Sequence, residues 1–311
     1  MFQNDLKGLL AYSTISHLGL ITLLLGLNSP LAAVAAVFHI LNHATFKASL
    51  FMAAGIIDHE SGTRDIRKLS GLFRLMPYTA TLAMVASASM AGVPLLNGFL
   101  SKEMFFAETV FINSTAWVEI ALPVIATIAG TFSVAYALRF TVDVFFGPPP
   151  TDLPLTPHEP PRWMRAPVEL LVFTCLMVGI FPAQTVGPLL AAAAQPVVGG
   201  ELPEYSLAIW HGLNAPMIMS LIAMSCGILL YVVLRKQLKL GRYPLPPLIT
   251  YFNGKRFFER SLVVIMRWAR RIERRISSHR LQTQLFLLIL AAVIAGLIPM
   301  LYSGLSWGDR P

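Results

Sequence analysis

Between Leu31 and Ile57 the chain reads LAAVAAVFHILNHATFKASLFMAAGII, an apolar stretch whose middle carries His39, Asn42, His43 and Lys47. On a helix turning about 100° per residue, His39, His43 and Lys47 fall at about 0°, 40° and 80°, one face over about 12 Å of rise. Histidine titrates near neutrality and can both accept and donate a proton. Lysine, unlike arginine, can give up its proton in a protein interior. A row of such groups on one face is what a proton relay through a dry medium requires. Two other readings compete. A His-x3-His pair has metal-ligand spacing, but no third ligand lies near it. Alternatively, these are core side chains satisfied by neighbouring helices.

Other polar groups share the pattern. The run LKGLLAYSTISHLGL places Lys7 at the start of an apolar segment, where it can snorkel to the membrane surface. Ser13, Thr14, Ser16 and His17 lie deeper in the same segment. Residues 77–112 read PYTATLAMVASASM, AGVPLLNG and FLSKEMFFAETVF, with Gly92, Pro94 and Gly98 interrupting the apolar run just before Lys102 and Glu103. Proline removes a helix hydrogen bond, and irregular backbone at membrane depth is tolerated only against protein or a water-filled cavity. Arg139 and Asp143, at i and i+4, read as an interfacial ion pair. Cys175 and Cys226 lie in separate apolar segments and suit neither a disulfide framework nor a metal site. There is no phosphate loop, dinucleotide fingerprint, CxxC cluster or nucleophile constellation. No catalytic residue, cofactor or bound metal is expected.

The elements that hold these groups are membrane helices. Of the 311 residues, 55% are hydrophobic and 13% charged, and the mean hydropathy is +0.64. An ordinary soluble domain carries about 25% charged residues. Apolar windows long enough to cross roughly 30 Å of hydrocarbon fall at 8–27, 31–57, 77–112, 117–146, 166–182, 213–234 and 283–302. The fold class is therefore all-α, a polytopic membrane protein with about seven spans, one of them broken at Gly92–Gly98. The start MFQNDLKG lacks the basic region of a cleavable signal.

Charge orients the chain. Residues 235–280 hold thirteen Lys and Arg against two acidic residues, within a net charge of +8. Such a segment between two spans is expected on the cytoplasmic side, and its place there argues against nucleic acid as the partner. With this segment inside, loops 58–76 and 147–165 are also inside, provided that 77–112 crosses once. A re-entrant hairpin at 77–112 would invert everything upstream. Within the basic segment, Phe258, Leu262, Ile265, Ala269, Ile272 and Ile276 form one stripe. Arg256, Arg260, Arg267, Arg270 and Arg274 form the opposite one. That pattern fits a helix lying on anionic lipid headgroups or packing on a partner protein.

Four stretches, DLKGLLAYSTISHLG, FHILNHATFKASLF, SGTRDIRKLSGL and AGVPLLNGFLSKE, together resemble the antiporter-like proton-translocating subunits shared by respiratory complex I and the Mrp-type cation/proton antiporters. The later LPEYSLAIWHGLNAP, the basic loop and FNGKRFFE are similar to the large A-type component of the Mrp system. The resemblance implies a core of fourteen helices in two inverted five-helix repeats. This chain would supply the second half (1–182) and an extension (183–311). It places the relay lysines at Lys47 and Lys102, with His39, His43 and Lys7 matching the family's accompanying basic positions. The family's essential glutamate–lysine pair would precede residue 1, so the chain is expected to be a fragment, a split gene product or an internal start.

The resemblance also implies other antiporter subunits as partners, H+ and Na+ or K+ as the ions moved, and a multi-pass place in the bacterial cytoplasmic membrane. A proton-pumping subunit of an NADH-quinone oxidoreductase and a structural remnant without transport are the alternatives.

Overall fold

The computed structural model describes residues 1–112, 114–150, 152–210, 212–239, 254–276 and 281–303. The chain divides into two compact units, Met1–Pro244 and Leu245–Pro311.

In the first unit, α1 (Leu6–Gly26) and α2 (Pro30–Ser61) are followed by a 3-10 turn at Leu72–Arg74. Then come α3 (Pro77–Ala91), α4 (Asn97–Val110), α5 (Ala116–Phe145), α6 (Arg162–Ile180), α7 (Pro182–Thr185), α8 (Gly187–Val198) and α9 (Ala215–Lys239). Among the described residues the second unit holds α10 (Gly254–Ile276) and α11 (Leu281–Ser303). Helices α1, α2, α5, α6, α9 and α11 are long and apolar enough to cross a membrane. With α3 and α4 as the broken span, these helices fall on all seven expected segments. The protein is an all-helical, multi-pass membrane protein. Helix α6 begins earlier than expected, at Arg162, and α8 was not expected at all. Residues 240–253 and 277–280 of the basic segment lie outside the described residues.

Local sequence sets the helix ends. Asp5 caps α1 by accepting from Gly8 N at 2.6 Å. Ser29 caps α2 at the Ala32 amide, with Pro30 pre-set in the first turn. Helix α2, at 32 residues, is about 48 Å long. Its apolar part therefore covers the hydrocarbon and its DHES end projects beyond. Gly62 ends it in the left-handed conformation, φ +71.

The expected break is present. Helix α3 has 15 residues and α4 has 14, each about 21–22 Å, too short to span alone. Gly92, at φ +89, closes α3: its amide donates to Ser89 O and that of Val93 donates to Ala88 O. This is the paired pattern of a glycine-terminated helix.

The Pro-rich loop straps this end of the molecule. Glu159 accepts from the Tyr78 and Thr79 amides at 2.7 and 3.1 Å and so caps α3 from outside. His158 Nδ1 lies 2.5 Å from Glu60 Oε2. Asn4 and Ile66 pair the N-terminal segment with the 63–66 turn. There the Arg67 guanidinium, bonded to Asp65, holds that carboxyl below its usual range.

Candidate functional site

The break brings the site together because each broken end is capped by the other piece. Ser89 Oγ, from the last turn of α3, accepts from the Gly98 amide at 3.2 Å and donates to Asn97 Oδ1. In return, Lys102 from the second turn of α4 reaches back to the end of α3. Its Nζ donates to Met90 O at 2.7 Å, to Ala91 O at 3.0 Å and to Ser133 Oγ at 2.8 Å. Three N–H bonds thus have three acceptors. An ammonium at a helix C-terminus is favoured by the exposed carbonyls and the helix dipole. Gly98 is required at its position: a Cβ there would lie 1.9 Å from Ser89 O.

From Lys102 a run of hydrogen bonds leads into the histidines. Ser133 Oγ is 3.1 Å from Tyr136 Oη, which is 3.1 Å from His17 Nε2. His17 Nδ1 is 2.9 Å from His39 Nε2, and His39 Nδ1 is 3.0 Å from Ser101 Oγ. Four helices contribute: α1 (His17), α2 (His39), α4 (Ser101, Lys102) and α5 (Ser133, Tyr136). All six side chains are buried. The His17 and His39 rings stack with centroids 5.2 Å apart, and Phe46 closes on them edge-on.

Lys47 is buried beside this run on a branch of its own. Its Nζ donates to Ser13 Oγ at 2.6 Å and lies 3.2 Å from Met90 Sδ. His43 packs against the His17 ring at 5.1 Å, but its Nε2 has no hydrogen-bond partner among the described residues. Lys7 stands apart, in an ion pair with Asp58 at 2.8 Å. Of the sequence-derived positions, the structure joins Lys102, His17 and His39, sets Lys47 and His43 alongside, and leaves Lys7 outside. Gly92 and Gly98 build the break, and Pro94 lies within it. Ser133, Tyr136 and Ser101 were not foreseen.

Arg139 and Asp143 form the expected i, i+4 ion pair, with Nε and Oδ2 3.8 Å apart, and both are buried, at 1% and 4% exposed. Burial is tolerated because Arg139 is bonded to Met1 O and to Asn4 Oδ1, while Asp143 accepts from Tyr231 Oη at 2.8 Å. Arg235 Nε adds a second cation 3.7 Å from Asp143. These partners lie far away in sequence and tie α9 to α5. Among the described residues no cluster of three or more His, Cys, Asp or Glu forms a metal centre. In the second unit, Arg260, Arg267, Arg270 and Arg274 are exposed on α10, as are Phe258, Leu262, Ile265 and Ile272 on its other side.

A broken apolar helix, with a lysine reaching back across the break and histidines of neighbouring helices beside it, is the arrangement of a polytopic membrane protein in which buried ionisable groups mark a candidate functional site. Comparison with known proteins agrees. Residues 1–132 match the family described as NADH:quinone oxidoreductase/Mrp antiporter, TM. A Rhizobium meliloti protein, named as the probable A/B component of a K(+)/H(+) antiporter, is 63% identical over 97% of this chain and 30% of its own length. The A-type component of the Na(+)/H(+) antiporter of Alkalihalophilus pseudofirmus is 41% identical over 78% of this chain and 33% of its own.

Among solved structures, a chain of the Mrp complex from Dietzia sp. DQ12-45-1b matches with a TM-score of 0.71 and 33% identity, over 99% of this chain and 33% of that one. A chain of respiratory complex I from Thermus thermophilus matches at 0.52 and 27%, over 64% and 41%. Residues 1–132 carry the membrane domain of this antiporter-like family, and the chain as a whole resembles the Mrp A-type components, spanning about a third of the length of the antiporter relatives it matches.

Proposed function

We propose that this chain is a proton-translocating part of a multisubunit antiporter that exchanges Na+ or K+ for H+. The observation that carries the reading is the hydrogen-bonded run from Lys102 at the helix break to His17 and His39. Each of these three groups can hold or release a proton. The relatives' names, antiporter components for K(+)/H(+) and Na(+)/H(+), support the same assignment. On this reading residues 1–182 supply half of an antiporter-like core and residues 183–311 are an extension. Chemistry is transport without a covalent step.

The chain would lie in the bacterial cytoplasmic membrane with its basic segment inside. Helix α10 would rest its apolar stripe in the cytoplasmic interface and turn Arg260, Arg267, Arg270 and Arg274 toward anionic headgroups. The likeness to a complex I chain favours a second reading, a membrane-arm subunit driven by quinone reduction. Identifying the co-purified subunits by mass separates the two.

The test uses everted vesicles holding the complete assembly. Adding Na+ or K+ is expected to dissipate a preset pH gradient, and Lys102→Ala is expected to abolish this with assembly intact. Wild-type exchange by Lys102→Ala would remove Lys102 from the pathway and the reading with it.

A further inference from the structure

We infer that Tyr136 is a proton-passing residue, its hydroxyl and that of Ser133 forming the link by which a proton moves between Lys102 and the His17–His39 pair. The inference rests on the reading above, in which Lys102 and the histidines carry the protons.

The geometry is specific. Tyr136 is 5% exposed, and its phenol oxygen has two partners, His17 Nε2 and Ser133 Oγ, both at 3.1 Å. A buried tyrosine that only fills space needs one hydrogen bond to satisfy its hydroxyl. This one is inserted between two groups that each lead to a titratable side chain. A hydroxyl is donor and acceptor at once, and its O–H turns freely enough to serve either side. A cavity of about 210 Å³, lined in part by His17, Lys102, Ser133 and Tyr136, adjoins the link and leaves room for that turn.

Among the described residues, the contact shared by the two lysines offers no hydroxyl link of this kind. Lys47 and Lys102 both touch Met90, the first at its thioether sulfur and the second at its carbonyl oxygen. Both atoms accept a hydrogen bond, and neither carries a proton to hand on.

The transfer balances. At rest Tyr136 Oη donates to Ser133 Oγ and Ser133 Oγ to Met90 O, so both hydroxyls first turn toward His17. The Lys102 ammonium then gives a proton to Ser133 Oγ, Ser133 gives its own to Tyr136 Oη, and Tyr136 gives its own to His17 Nε2. One N–H and two O–H bonds break; two O–H and one N–H bonds form. The products are a neutral Lys102 amine, a His17 imidazolium and two hydroxyls unchanged in composition. His17 can then release its Nδ1 proton to His39 Nε2. Rotation of the two hydroxyls resets the link.

The test is cation-driven dissipation of a pH gradient in everted vesicles of the complete assembly, normalised to assembled complex, with Lys102→Ala measured alongside. Tyr136→Phe keeps the ring and removes the link. It is expected to slow exchange about tenfold or more, within the range of a lost proton-transfer group. Ser133→Ala is expected to do the same, and the double variant to be no slower than the worse single one, because one wire is being cut twice.

Near-wild-type exchange by Tyr136→Phe, with Lys102→Ala inactive, overturns the inference and leaves the proposed function standing. Full exchange by Lys102→Ala overturns both. Losses that add in the double variant point to packing and also overturn the inference. Should Tyr136→Phe fail to assemble, Ser133 decides: Ser133→Thr is expected to recover part of the rate that Ser133→Ala loses, and equal losses contradict the wire.

Discussion

Lys102 Nζ donates to the carbonyl of Met90 at 2.7 Å, so the lysine closes the end of the helix that precedes its own. The buried charge and the broken backbone therefore satisfy each other. Carbonyls left open at the end of α3 need donors, and an ammonium in this setting needs acceptors and a negative helix end. Gly98 allows the approach because it has no side chain facing Ser89. Gly98→Ala would place its Cβ 1.9 Å from Ser89 O and force the two pieces apart. We expect it to cost about 1–3 kcal/mol of stability, in the manner of an overpacked core, and to impair transport as Lys102 loses its carbonyls. Thermal unfolding of the purified assembly checks this. An unchanged transition would mean the pieces are not packed this closely.

The histidines are expected to differ. His17 links Tyr136 to His39 through both ring nitrogens, whereas His43 touches the cluster only by ring packing. His17→Ala should cost most of the exchange activity and His43→Ala distinctly less. Equal losses in the vesicle assay would put His43 back into the path.

Helix α10 offers a test of placement. Reversing Arg260, Arg267 and Arg270 to Glu is expected to loosen docking at an anionic surface, where each basic residue contributes about 1 kcal/mol. Single cysteines placed along the helix, labelled from the aqueous side, report this. In the unreversed helix the stripe at Phe258, Leu262 and Ile265 should be protected relative to the arginine face. Equal labelling of the two faces would show the interfacial placement to be wrong.

Much of the fold was legible in the sequence because membrane spans are written in long apolar runs. The break was legible too, since Gly92, Pro94 and Gly98 interrupt such a run beside a lysine. Helix α8, GPLLAAAAQPVV, was missed because it is short and carries two prolines. In the site, charged and imidazole side chains stood out against the apolar background. Tyr136 and Ser133 did not, since a tyrosine and a serine in a membrane helix ordinarily pack or bond to their own backbone. What gives Tyr136 a role is His17, 119 positions away. The same distance effect hid the burial of Arg139 and Asp143, whose partners Asn4, Tyr231 and Arg235 come from other segments. Local spacing reports which residues share a helix face; it does not report what faces them.

The central claim is that the buried lysines act by switching between charged and neutral forms. Lys47→Arg and Lys102→Arg keep a positive charge but hold its proton at any physiological pH. The most direct measurement is the rate at which added Na+ or K+ dissipates a preset pH gradient in everted vesicles, normalised to assembled complex, for each arginine variant beside its alanine counterpart. A relay predicts that both arginine variants assemble and lose most of the exchange, as their alanine counterparts do. Near-wild-type rates for the arginine variants would contradict the account and leave the lysines as packing and capping groups.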